Sequence, residues 1–256
     1  MVDSTDDFLE HYGVKGMHWG VRNEYQPHPR RRHGSQSGRQ NGFRLQTIHP
    51  TMADGLDPTT VSAANQVADL MSTRYGFRIN EVKNLNADRP DEVARGTAAF
   101  VANTPGKSGG IIYIKTGNLN KEFDGPPGWM APGTMNTRGL LTHESAHALF
   151  HAQSKRKTSF WTGQTTVTGG FQAARDKAFS AAGEQAQKDG ISPYQFLSHI
   201  SKYAEYSGNR EEAEAEMFAQ YHWGTNPPNF IKVWGQTLHQ EMGIDPTPFK
   251  EVVKNG

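Results

Sequence analysis

Residues Leu140 to Phe150 constrain this chain more than any other stretch. They read Leu-Leu-Thr-His-Glu-Ser-Ala-His-Ala-Leu-Phe, apolar or small at most positions yet with two histidines and a glutamate inside. That composition predicts a helix buried on most sides. On a helix, residues four apart lie one above the other, so His143 and His147 present two imidazoles from one face. Two neutral imidazoles so placed can each give a nitrogen to one zinc ion, with Glu144 beside them to take a proton from a metal-bound water. The plain alternative is a core helix with two satisfied histidines and a surface glutamate. Chance gives this His-Glu-x-x-His pattern in roughly three chains in a hundred of such length and composition. The rest of the sequence therefore has to choose between the two.

The chain has 256 residues, enough for one substantial domain plus an extension. It has no cysteine, which excludes disulfides, thiol nucleophiles and Cys-ligated zinc, and leaves His, Asp and Glu for any metal. No apolar run is long enough to span a membrane. The acidic start, Met1 to Asp7, lacks the apolar core of a secretory signal, so the expected location is a phage virion or a host cytoplasm, for reasons given next.

The net charge of +1 hides an uneven distribution. Phe8 to Arg22 combines three glycines with Phe8, Leu9, Tyr12, Val14, Met17, Trp19 and Val21. So short a segment cannot bury its own aromatics and is expected to pack on the main domain or dock on another protein. Its wording, His11-Tyr12-Gly13-Val14-Lys15-Gly16-Met17-His18-Trp19-Gly20-Val21-Arg22, resembles a short signature of tailed-bacteriophage structural and head-associated proteins, with His18 in place of the usual lysine. The resemblance implies phage head proteins as partners. Asn23 to Arg44 is rich in Pro, Gly, Gln, Ser and Arg, and reads as a flexible linker. Arg30, Arg31 and Arg32 within it could make weak, nonspecific contacts with DNA phosphates. Residues 1–44 are thus a docking peptide and basic linker, and residues 45–256 the main domain.

In that domain an amphipathic helix is expected over Thr59 to Tyr75, capped at Asp57 and stopped at Gly76. Phe77 to Val82, Thr97 to Val101 and Gly109 to Lys115 read as strands, the last most clearly. Asn136 or Thr137 caps the His143 helix. Thr158 to Gly170 reads as a hairpin or flap, and Phe171 to Lys188 as an Ala- and Gln-rich helix. Helices opening at Ser192-Pro193 and near Asn209 follow, then a last one over Asn229 to Met242; His222 and His239 are read as residues that pack or sit in solvent rather than as metal ligands.

A catalytic zinc needs a third protein ligand and an open position. The metzincin spacing is absent, because Phe150 and Gln153 stand where it would need Gly and His, and His151 lies too far along the helix. The acids of Glu211-Glu212-Ala213-Glu214-Ala215-Glu216 are better candidates. A helix from Asn209 puts Glu212 and Glu216 on one face, among small and apolar residues, so at least one carboxylate should turn inward to a cation or donor.

With Ser201-Lys202-Tyr203-Ala204 followed by Glu212-Ala213-Glu214-Ala215-Glu216-Met217-Phe218, the chain resembles the gluzincin metallopeptidases, in the minimal zincin domain of the anthrax lethal factor type. The resemblance covers about residues 109 to 240. It implies an α+β, zincin-like fold: a small mixed sheet with an edge strand, packed on the His143 helix and followed by a helical C-terminal half. It implies one Zn2+ per chain held by His143, His147 and Glu212, with Glu216 orienting a ligand. It makes Glu144 the general base and Tyr203 the oxyanion donor. Tyr203 lies two residues further from Glu212 than that pattern spaces it, so Tyr206 is the alternative. Ile112, Tyr113 and Ile114 would form the edge strand that holds an extended peptide. The function so implied is zinc-dependent endopeptidase action on a peptide or protein, in a phage-encoded, virion-associated chain with no membrane partner. Two other readings stand beside it: a catalytically silent structural or docking protein, and a head protein touching DNA through the arginine strip.

Overall fold

The computed structural model describes residues 49–94, 98–103, 110–116, 129–153, 155–158 and 165–250. The N-terminal signature, the arginine strip and the centre of the expected flap lie outside them.

Four strands form one mixed sheet in the order β1-β2-β4-β3: β1 (Thr51–Met52), β2 (Ile79–Asn84), β3 (Ala99–Asn103) and β4 (Gly110–Ile114). β1, β2 and β4 run parallel, and β3 pairs antiparallel with β4. Between β1 and β2 runs helix α1 (Pro58–Tyr75). Asp57 caps it by accepting from Thr60 N–H, and Gly76 ends it in a left-handed turn (φ 58°) that a side chain would strain. Two short helices, α2 (Leu85–Asp88) and α3 (Pro90–Ala94), follow β2.

The central helix, α4 (Thr137–Gln153), is buried continuously from Gly139 to Phe150. Asn136 opens it by accepting from Gly139 N–H (2.9 Å). Gly139 must be glycine, because a Cβ there would run into the Thr134 backbone. α4 packs against β3 and β4 on one side and against α1 and a later helix, α8 (Arg210–Trp223), on the others. α8 is in turn buried at every residue from Glu212 to Trp223, although three of those residues are glutamates. A short antiparallel pair, β5 (Lys155–Thr158) and β6 (Thr165–Thr168), follows α4 where the flap was expected.

The remaining helices are α5 (Gly170–Lys188), α6 (Phe196–Ile200), α7 (Lys202–Ser207) and α9 (Asn229–Met242). Ala174, Ala178, Ala182 and Ala186 recur every fourth residue on α5 and are buried, a small-residue stripe that lets α9 approach with Phe230, Ile231, Trp234 and Leu238. The chain is therefore helix-rich α/β with a small mixed sheet, as expected. One expectation is overturned. β4, carrying Ile112, Tyr113 and Ile114, has a neighbour on both sides and cannot be the edge; β3 is. Its β-branched, aromatic composition is that of an inner strand, and the plainer Ala-Phe-Val-Ala-Asn segment takes the rim.

Candidate metal centre

α4 and α8 cross so that one face of each meets the other. His143 and His147, one turn apart, bring their Nε2 atoms to 3.1 Å from each other. Glu212, in the first turn of α8, places Oε2 3.1 Å from His143 Nε2 and 3.2 Å from His147 Nε2. Asn209 sets this register by capping α8 at Glu211 N–H (2.9 Å). All three side chains are at least nine-tenths shielded from solvent. Among the described residues, this is the only group of three or more His, Asp or Glu side chains arranged to hold an ion.

The triangle fits a metal better than it fits hydrogen bonds. Donors about 2.0–2.1 Å from a tetrahedral ion sit about 3.3 Å apart, close to the 3.1–3.2 Å sides found. Three lone-pair-bearing atoms facing one point repel unless a cation shares the space. Burial opposes charge on His143, but the Glu212 and Glu216 contacts outweigh it and raise its pKa well above the ordinary value. His147 is raised too, burial again being outweighed by Glu212. Burial pushes the Glu212 carboxyl up, yet the two histidines hold it far below the usual carboxylate range.

Glu216, the expected orienting carboxylate, lies one turn beyond Glu212. Its Oε1 lies 3.0 Å from His143 Nδ1, and its Oε2 accepts from Ala131 N–H at 2.8 Å. With a carboxylate at Nδ1, the proton of neutral His143 belongs on that nitrogen and its Nε2 lone pair faces the triangle.

Glu144 is buried beside the triangle, and burial raises its pKa. The Val101 N–H of β3 lies near it and partly offsets that rise. The strand pairing explains why that N–H is free to donate. Lys115 N–H bonds Ala98 O (2.8 Å), so Ala98, Phe100 and Ala102 face β4, while Ala99, Val101 and Asn103 aim their backbone groups off the sheet. Glu144 Oε2 has no hydrogen-bond partner.

Of the two tyrosines, the structure brings Tyr203 to the site. Its ring lies 6.0 Å from that of His143, and its N–H donates to Trp129 O at 2.9 Å. Burial and the negative charges of Glu212, Glu144 and Glu216 raise its hydroxyl pKa well above 10, which keeps it a donor. Tyr206 is half exposed, against Trp129. His151 is not part of the triangle.

Sequence reading missed the Val101 amide and the buried Glu214. Strand parity counted back from Gly110 could have found the first. Glu214 points away from the triangle to Arg175 on α5 and Arg210, and nothing in the sequence pairs it with a residue thirty-nine positions earlier.

A family described only as a family of unknown function, DUF7211, matches residues 2–25. No curated protein and no solved structure matches the chain. No described helix is long and apolar enough to cross a membrane.

Proposed function

We propose that the chain is a zinc-dependent endopeptidase with a zincin-like domain, and that His143, His147 and Glu212 hold its zinc. The observation that carries this reading is the buried His143–His147–Glu212 triangle with the buried Glu144 carboxyl on the same helix beside it.

Bound there, zinc supplies Lewis acidity, lowering the pKa of water towards about 7 and polarising a carbonyl. The chain supplies the rest. Glu144, held in the buried face of α4, takes a proton from the attacking water and returns it to the leaving amine. Tyr203 keeps its proton beneath three carboxylates and donates to the oxyanion. Glu216 holds His143 in one ring orientation and ties it to the Ala131 loop. The free backbone groups of β3, not β4, offer the edge along which an extended peptide would lie.

Elemental analysis of purified protein, paired with a proteolysis screen of wild type and Glu144→Gln, tests the proposal. One zinc per chain in both proteins and cleavage by the wild type alone support it. Cleavage by the variant at a near-normal rate, or failure of the wild type to take up zinc, overturns it. The N-terminal signature supports a virion-associated setting, and loss of particle association on deleting residues 1–44 is the matching expectation.

A further inference from the structure

A small cavity opens directly on the candidate centre. Its walls are Ala98 and Ala99 at the start of β3, Met130 in the loop before α4, and Leu140 on the first turns of α4. His143, Glu144 and Tyr203 line its inner end. The cavity volume is about 20 Å³, and one water occupies about 10–15 Å³ on the same measure. It therefore has room for one water or one methyl group, and not for a branched or aromatic side chain.

The walls are anchored. Leu140 belongs to the buried run of α4, where an outward shift would move His143 with it. Met130 sits between two ties: Trp129 O accepts from Tyr203 N–H, and Ala131 N–H donates to Glu216. All four wall residues are buried. Such a wall resists opening, because close-packed interiors adjust only by displacing neighbours.

We propose, on the footing of the endopeptidase reading, that this cavity receives the side chain of one of the two residues flanking the bond to be cut. Met130 and Leu140 then restrict that residue to glycine, alanine or serine. Any peptide placed with its carbonyl at the triangle and its bond beside Glu144 must put a neighbouring side chain here or leave the cavity to water. Alanine fills it; leucine collides with Met130 or Leu140.

The test uses zinc-loaded full-length protein and peptides in which each flanking position is varied in turn. At one of the two positions, alanine should be cut at least about tenfold faster than leucine or phenylalanine, since even one misplaced methylene changes selectivity about 10–200-fold. Met130→Ala should raise the relative rate on leucine about tenfold, and Leu140→Ala, if it folds, should do the same. Calorimetric binding of the same peptides to zinc-loaded Glu144→Gln gives a readout without turnover, and alanine should again be preferred. Equal cutting and binding of alanine and leucine at both positions overturns the cavity assignment while leaving hydrolysis standing, as does a Met130→Ala profile identical to wild type in a folded protein. No zinc uptake and no cleavage of any peptide overturns the underlying reading, and this proposal with it.

Discussion

Three donor atoms from two helices cost little to assemble only because each is held by something else. His143 is turned by Glu216, and Glu212 is fixed by a capped first turn of α8. The single-residue consequences differ by role. If the triangle holds zinc as proposed, His143→Ala, His147→Ala and Glu212→Ala should each reduce it after dialysis from one per chain to below about a tenth, read by elemental analysis, because two donors do not complete the three-ligand set of a catalytic zinc. Glu216→Ala should keep a zinc site weakened about 10–100-fold, measured by chelator competition, since it removes only the support of one ligand. Tyr203→Phe should leave zinc in place and lower kcat about 100–1000-fold, the loss typical of one oxyanion donor. A Tyr206→Phe variant behaving like Tyr203→Phe would contradict the burial of one and the exposure of the other.

Between elements, two contacts decide how the site is framed. The first packs β3 on α4, with the Val101 N–H turned to the side of Glu144. That N–H faces off the sheet, so proline at 101 removes a donor without breaking a ladder bond, a substitution that edge strands tolerate. Val101→Pro should retain its circular dichroism and its metal uptake and lose about 10–100-fold in kcat/KM, since it removes an N–H turned both to Glu144 and to the edge offered to a peptide. The second contact is the Arg175–Glu214 pair between α5 and α8, buried on both sides, with Arg175 also lying over the Phe150 ring at 3.9 Å. Arg175→Ala should cost about 3–5 kcal/mol in urea unfolding, while Arg175→Met with Glu214→Leu should recover most of it. The sequence displayed the elements better than their contacts. α4 and α8 were legible because their caps, Asn136 and Asn209, precede helical periodicity, and the His143–His147 geometry follows from helix spacing alone. Glu212 and Glu216 were legible as a face, but burial of all three α8 glutamates was not, since a charged face usually means solvent. The order of β3 and β4 was hidden because antiparallel return of β3 to the rim depends on long-range pairing that no local pattern encodes.

At the scale of the whole molecule, the first long helix and the last segment of the chain are clasped together by a buried polar chain. Tyr75, at the end of α1, hydrogen-bonds His222 Nε2 and His239 Nε2, both at 2.7 Å, from α8 and α9. Their tautomers follow from the outer partners. Phe249 N–H donates to His222 Nδ1 (3.3 Å), so the proton of His222 is on Nε2 and is given to Tyr75. His239 Nδ1 lies 2.7 Å from the Asp245 carbonyl and must donate to it, so His239 Nε2 accepts from the Tyr75 hydroxyl. Every proton has a place when both rings are neutral, and a further one on either ring has none. Burial lowers the His222 pKa well below its ordinary value, with His239 and Arg74 adding to the effect. Burial takes His239 down to about 4, Arg74 adding to it while the Asp245 carbonyl and carboxylate oppose. The sign follows from the direction. Folded pKa values below the unfolded 6.5 give stability that is complete above pH 6.5 and lost as pH falls towards 4, because the unfolded chain takes up the proton first. For His239 the loss is about 3 kcal/mol. The metal-site histidines titrate in the opposite sense, so a bare stability curve mixes the two. The clean measurement is the difference between wild type and His239→Gln in urea unfolding, where the metal-site contributions cancel. Wild type should be the more stable at pH 7.5, and the gap should shrink by about 2–3 kcal/mol by pH 4.5. A gap independent of pH would mean that His239 takes up its proton at the same pH folded as unfolded, and that the proton chain through Tyr75 runs otherwise.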